Sequence, residues 1–275
     1  MQTEVSRYVV RLAETEADRR AAERLRYRVF VEEMGAEVSA EMRAAEREWD
    51  AFDPFFDHLL LIDRASPSPD PRDQVVGVYR LMTSAAARAG RGFYSATEFD
   101  LGPILAGGRP ALELGRSCIA PEHRGGAGLH LLWNGLAAYV MTQRIEILFG
   151  AASFPGTDPA PLVEALSHLN HAHLAPPDLR VRVRAAGRLE MPLLPREAID
   201  PMRAMRAVPP LIKAYLRLGG FIGEGAFVDD IFSTIDVCVV MDTGRMTERH
   251  RQFYARSQAA AADPLPRPTP GGVDA

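Results

Sequence analysis

The sequence predicts a mixed α/β (α+β) fold, a central twisted β-sheet flanked by helices, with the last elements of the chain completing the sheet. Three observations carry this expectation. Short apolar runs of strand length alternate with helical patterns along the chain. One run, 145–152, is apolar almost throughout, as in a strand buried on both faces. Two others, 56–63 and 74–82, flank a Pro- and Asp-rich stretch, as the arms of a hairpin do. A sheet holding both a hairpin and a doubly buried strand is mixed rather than purely antiparallel.

Taken in order, residues 6–12 form a short first strand, and 14–31 a helix with Ala17, Ala21, Leu25 and Val29 on one face. The hairpin strands come next, then a loop over 83–92 and connecting residues to 108. Strand 111–119 runs into the segment from Pro121 to Gly128 and a helix of about four turns. After strand 145–152 come a helix near 158–170, Pro- and Arg-rich connecting structure over 175–210, a helix around 208–218 and a last strand, 233–241. Residues 1–256 are expected to form one domain, with a core of about 6–170 and an extension of about 171–256. The Ala-, Pro- and Gly-rich residues 257–275 are expected to be a disordered tail.

Composition narrows the function. A chain of 275 residues with 47% hydrophobic and 25% charged side chains is ordinary for a globular protein, and a formal charge of −4 gives no global reason to bind nucleic acid. The two cysteines, Cys118 and Cys238, sit in apolar runs and make no disulfide framework. No basic start precedes an apolar stretch, and no run has the length of a membrane span, so a cytoplasmic location is the default. Peripheral contact with the inner membrane surface is compatible with this reading.

The chemistry concentrates in the strand, glycine loop and helix of 111–142. Arg124, Gly125, Gly126 and Gly128 lie where a strand passes into a helix, so backbone N–H groups can converge on an anion such as phosphate. A loop that merely needs glycine shows the same pattern, and the spacing is wrong for a dinucleotide-binding loop. Glu113 and Arg116 fall on opposite faces under strict alternation; a bulge at Gly115 would bring them into one pocket. A structural salt bridge at a strand edge fits the same residues. Segment 24–57 brings together Arg24, Arg26, Arg28, Phe30, Trp49, Asp50, Phe52, Asp53 and Asp57, with both signs of charge that an amino-acid zwitterion requires. His168, His171 and His173 lack an acidic partner at a recognised spacing, so no metal is expected, and neither Ser117 nor Ser153 stands in a nucleophile elbow.

Together the segments Arg26 to Phe30, Glu48 to Asp53, Gly77 to Leu81 with Arg80, Glu113 to Ser117, Arg124 to Trp133 and Tyr215 to Phe232 resemble the ornithine lipid N-acyltransferase family. That family is often labelled haemolysin-like, has the GNAT fold and is similar to acyl-homoserine-lactone synthases. The resemblance covers most of 8–242. It implies that Arg28, Phe30, Asp50, Asp53 and Arg80 shape the acceptor site and that Glu113 and Arg116 support catalysis. It implies transfer of a 3-hydroxyacyl group from acyl carrier protein to the α-amine of L-ornithine, the phosphopantetheine phosphate meeting residues 124–128, with no permanently bound cofactor. Arg180, Arg182, Arg184 and Arg188 are candidates for a basic rim facing an acidic carrier. The chain departs from lactone synthases at Met34, Gly35 and Ser117. A lactone synthase using S-adenosylmethionine and a non-enzymatic lipid-binding protein are the competing readings.

Overall fold

The computed structural model describes residues 7–245 apart from 69, 126 and 190–192; the expected tail over 257–275 and Gly126 of the glycine loop lie outside these. The strands among the described residues are β1 (Tyr8–Leu12), β2 (Asp57–Asp63), β3 (Val75–Thr83), β4 (Phe99–Asp100), β5 (Ala111–Ile119), β6 (Ile147–Pro155), β7 (Arg182–Val183), β8 (Phe221–Ile222), β9 (Phe227–Asp229) and β10 (Thr234–Asp242). The α-helices are α1 (Glu16–Arg26), α2 (Ala40–Ala45), α3 (Ser84–Ala89), α4 (Gly102–Leu105), α5 (Gly128–Thr142), α6 (Val163–Ala172), α7 (Pro201–Ala207) and α8 (Pro210–Arg217).

The main sheet runs β1-β2-β3-β5-β6-β10-β8, with β9 also paired to β10. Every pairing is antiparallel except β5 with β6. The expected hairpin is β2 with β3, and the late strands extend the same sheet. One face of the sheet carries an apolar core built with α1, α5, α6 and α8; the other packs on the segment from Phe93 to Ile104 and on the small β4–β7 ribbon.

The helix expected over 14–31 is two pieces. Thr15 caps α1 and shares a capping box with Asp18, which is why the helix begins there. At Tyr27 the chain passes into a π-helical turn, Tyr27–Glu33, which changes the facing of every later residue. Ala17, in the first turn of α1, stays exposed, while Ala21, Ala22, Leu25 and Val29 form the buried stripe. Residues 83–92 were expected as loop, yet Thr83 accepts a hydrogen bond from the Ala86 N–H and starts α3. Likewise Asp200 caps α7, with Pro201 in the first turn, inside a stretch expected to be connecting structure. In both cases a capping side chain outweighs loop-like composition.

Candidate active site

The site forms where β5 and β6 part. Their parallel ladder holds for three positions, from Ala111 opposite Ile147 to Glu113 opposite Phe149. At Gly150 a Cβ would lie 2.1 Å from the Leu114 carbonyl oxygen, so only glycine permits this last close approach before the strands separate. Beyond it, a cavity of about 770 Å³ opens between the strands, within the range of small-ligand pockets.

The expected bulge is present, one residue later than predicted. Arg80 of β3 stands opposite Gly115 and Val78 opposite Cys118, so one β3 residue faces both Arg116 and Ser117. Arg116 takes up the extra length with φ +49°, a left-handed conformation that side chains other than glycine seldom adopt. The outcome is the predicted one. Glu113, Gly115 and Arg116 all line the cavity.

Glu113 is 1% exposed, and its two carboxylate oxygens accept hydrogen bonds from the Tyr94 N–H at 2.9 Å and the Ser95 N–H at 2.5 Å. Burial pushes its pKa up, against the lowering effect of those bonds and of Arg80. Arg80 is fully buried and donates Nη1 to Asp50 at 2.8 Å and to Asp53 at 3.2 Å. Its Nε and Nη2 are buried without a partner. They lie on the side facing Gly115, where a Cβ would sit 3.8 Å from Nε. A half-paired buried guanidinium is costly on its own and suits a carboxylate ligand. Arg116 lies over the rings of Phe232 at 4.2 Å and Tyr94 at 4.8 Å, with Glu48 and Asp50 at 3.5 and 3.4 Å. Burial works to lower its pKa, but Glu48, Tyr94 and Asp50 hold it above the ordinary value.

Behind these groups lies a buried ionic brace. Arg26 donates to Glu48 and Asp53 at 2.6 Å, both ends being almost fully buried. Burial would raise the Asp53 carboxyl, but Arg26 and then Arg80 hold it well below the usual range. Asp53 also accepts from the Asp50 N–H, which fixes the carboxylate that pairs with Arg80.

Deeper in the cavity the walls change character. Leu148, Pro209, Leu211, Tyr215, Val239 and Met241 make an apolar end beneath α8. On the polar side Asp229 and Asp236 line the wall, with Glu98 beside them; the three buried residues offer oxygens that all lie within 4.8 Å of one another. Burial, then Asp236 and Asp229, push the Glu98 carboxyl up to about 8.

Of the residues singled out by sequence, Phe30, Arg80, Glu113, Arg116, Arg124 and Gly125 line the cavity. Asp50 and Asp53 reach it through Arg80. Arg28 does not: it pairs with Glu122 at 3.2 Å in a separate surface cleft. Trp49 lies outside the lining, under the Arg47 guanidinium at 5.1 Å. Arg124 donates to the Ile119 carbonyl at 2.9 Å and pairs with Glu33, clamping the loop onto the π-helical turn. Gly125 has φ +75° at the cavity edge, and Gly128 opens α5, whose first turn has no side-chain cap. Arg180 and Arg184 donate to the carbonyls of Ala175 and Ala96, while Arg182 pairs with Glu224. His171 is bonded to the Leu194 carbonyl. Sequence reasoning missed Tyr94, Ser95 and Glu98, placed by a segment read only as a connection. It also gave no role to Glu48, Asp229 and Asp236, and Arg26, read as part of a zwitterion site, is instead buried in the brace behind it.

A glycine loop leading into α5, beside two central strands that part at a buried glutamate, defines an acyltransferase of the GNAT class. Residues 25–134 match the family described as Acetyltransferase (GNAT) domain. Two solved structures share the overall fold: FeeM, an N-acyl amino acid synthase from uncultured soil microbes, and the CoA-dependent acyl-homoserine lactone synthase BjaI with MTA. FeeM has TM-score 0.50 and 11% identity, over 92% of this chain and 98% of that one. BjaI has TM-score 0.51 and 14% identity, over 96% of this chain and 95% of that one. More specifically, the chain is 54% identical over 250 residues to the L-ornithine N(alpha)-acyltransferase of Rhodobacter capsulatus, covering 90% of this chain and 95% of that one. It belongs to the L-ornithine N(alpha)-acyltransferase family.

Proposed function

We propose that this acyltransferase moves a 3-hydroxyacyl group from acyl carrier protein to the α-amine of L-ornithine, forming lyso-ornithine lipid. The observation that carries the reading is the convergence of Glu113, the unpaired edge of Arg80 and the Arg116 guanidinium at the gap between β5 and β6. The amino acid's carboxylate meets Arg80 and Arg116, which leaves its α-amine beside Glu113. Glu113 takes one proton from the α-ammonium, directly or through water. The freed nitrogen bonds to the thioester carbonyl carbon, the C–S bond breaks, and the departing sulfur leaves as a thiol with a second nitrogen proton. Holding both substrates in one cleft supplies much of the acceleration.

The phosphopantetheine arm lies between the parted strands with its phosphate toward the N–H groups of the 124–128 loop and the start of α5. The acyl chain runs into the apolar end beneath α8. Met34 and Leu129, both on the cavity wall, are exposed apolar side chains at 45% and 40%. They favour release of an amphiphilic product at a membrane surface. No helix among the described residues is long and apolar enough to cross one.

The test is to incubate purified protein with 3-hydroxyacyl carrier protein or the matching acyl-CoA, and with a panel of amino acids, following free thiol and product mass. Thiol release that depends on ornithine and gives N-acylornithine supports the reading. Release only with S-adenosylmethionine, or with no amine at all, refutes it. Faster turnover with the CoA thioester would overturn the donor assignment alone.

A further inference from the structure

We propose that Glu98, Asp229 and Asp236 form the subsite for the distal ammonium of the acceptor, and thereby choose a diamino acid over its uncharged analogues. This rests on the ornithine reading above and assigns the end of the substrate that does not react.

The three carboxylates come from different elements: Glu98 from the turn before β4, Asp229 from the end of β9, and Asp236 from β10. Asp229 uses Oδ1 to accept from the N–H groups of Ile231 and Phe232, at 2.8 and 3.0 Å. Asp236 uses Oδ1 to accept from the Thr234 hydroxyl at 2.8 Å. Glu98 is 2% exposed, and its Oε2 is buried without any partner. One of its carboxylate oxygens lies within 4.8 Å of oxygens of the two aspartates, and both aspartates stand on the cavity wall. Ionised, a carboxylate buried without a hydrogen-bond partner beside two other carboxylates is unfavourable: in the free enzyme a proton relieves it, and a bound cation can take that proton's place.

An ammonium fits the arrangement on three counts. It brings three N–H donors for three carboxylates. It is carried by a substrate whose other end is placed by Arg80 and Glu113 in the same cavity. The neighbourhood is shared, since Glu113 adds to the upward push on Glu98 while Arg116 opposes it. The cluster also accounts for regiochemistry: an ammonium held by carboxylates keeps its proton and is no nucleophile, while the α-amine beside a single base is free to lose one.

The experiment compares ornithine with norvaline, which lacks the distal amine, as acceptors for the wild type, Glu98→Gln and Asp236→Asn. A site built to bond a polar group rejects the analogue lacking it by about 10⁴-fold or more. The wild type is therefore expected to prefer ornithine by roughly that factor, and each variant to reduce the preference at least about tenfold, through KM for ornithine more than through kcat. Calorimetry in buffers of different ionisation enthalpy adds a second readout. Ornithine, but not norvaline, should release a proton on binding near neutral pH, as Glu98, protonated in the free enzyme, ionises against the ammonium. Thermal melts of both variants report folding; neutralising one of three crowded acids is expected to leave the melting temperature unchanged or raised. An unchanged preference in both folded variants overturns the proposal while ornithine acylation stands. Ornithine turnover lost on chelation and restored by a divalent cation also overturns it, by showing the cluster to be a metal site. A wild type that acylates no ornithine removes the underlying reading instead.

Discussion

Replacing Glu113 by glutamine puts two quantities at stake that measurement can separate. The carboxylate accepts from two backbone N–H groups, at Tyr94 and Ser95. A glutamine offers one carbonyl oxygen, so its own NH2 must face the other N–H in a site that is 1% exposed. One buried donor left unpaired costs about 1–3 kcal/mol of stability. If Glu113 is the proposed base, the catalytic loss is larger. A general base contributes roughly 10²–10⁴ in rate, about 3–5 kcal/mol at 1.36 kcal/mol per decade. Urea unfolding of Glu113→Gln should therefore show the smaller loss, and kcat, measured well below the melting temperature, the larger. The pH profile distinguishes base from brace. Burial raises the Glu113 pKa, so the wild type should lose activity on the acid side as this carboxylate takes up its proton, and the variant should lose that limb. A folded variant with kcat within about tenfold of wild type and an unaltered acid limb refutes the assignment.

Other outcomes are set by the surrounding structure. Arg26→Met leaves Glu48 and Asp53 as buried charges without their main partner and should cost about 3–5 kcal/mol by urea denaturation, with activity falling in proportion to folded protein or further. Gly150→Ala places a methyl group against the Leu114 carbonyl; the strands must shift, and thiol release should fall sharply even where circular dichroism shows a folded protein. His58, whose pKa burial and Arg26 lower to about 4, is neutral in the fold and charges in the unfolded chain near pH 6.5. Its contribution to stability is therefore lost as pH falls from 6.5 through 4. The stability advantage of wild type over His58→Gln should shrink by about 3 kcal/mol across that window, and a constant difference would show that His58 does not titrate as described.

Much of this site was legible before any coordinates, and the parts that were not have physical causes. The order of strand, glycine loop and helix over 111–142 comes from local pattern, and Gly115 signalled a bulge, because only an added residue could bring Glu113 and Arg116 to one face. The bulge fell at Arg116 because that residue, held by Tyr94, Phe232 and two carboxylates, takes the left-handed conformation itself. Arg28 was misplaced because resemblance transfers positions and not directions. The π-helical turn that begins at Tyr27 re-aims Arg28 and the side chains after it, and nothing in the amphipathic pattern of 14–31 announces it. Glu98, Asp229 and Asp236 were invisible as a group for a different reason. Glu98 is far along the chain from the two aspartates, and the three meet only because β10 crosses back onto β6, a long-range pairing that local periodicity does not encode.

The parting of β5 from β6 has a consequence for how the protein is made. The two wings of the sheet are joined there by three residue pairs, whereas β6 is held to β10 by nine, across some eighty intervening residues of chain. During synthesis the first wing can assemble from neighbouring hairpins while β6 waits, its outer edge open, for β10, the last strand to emerge among the described residues. Contacts of such long sequence separation are slow to form, and a waiting strand edge is exposed to aggregation. The β10 wall of the cavity therefore does not exist until translation has passed Asp242. A nascent or truncated chain has Glu113 and the glycine loop but not the closed cavity they line.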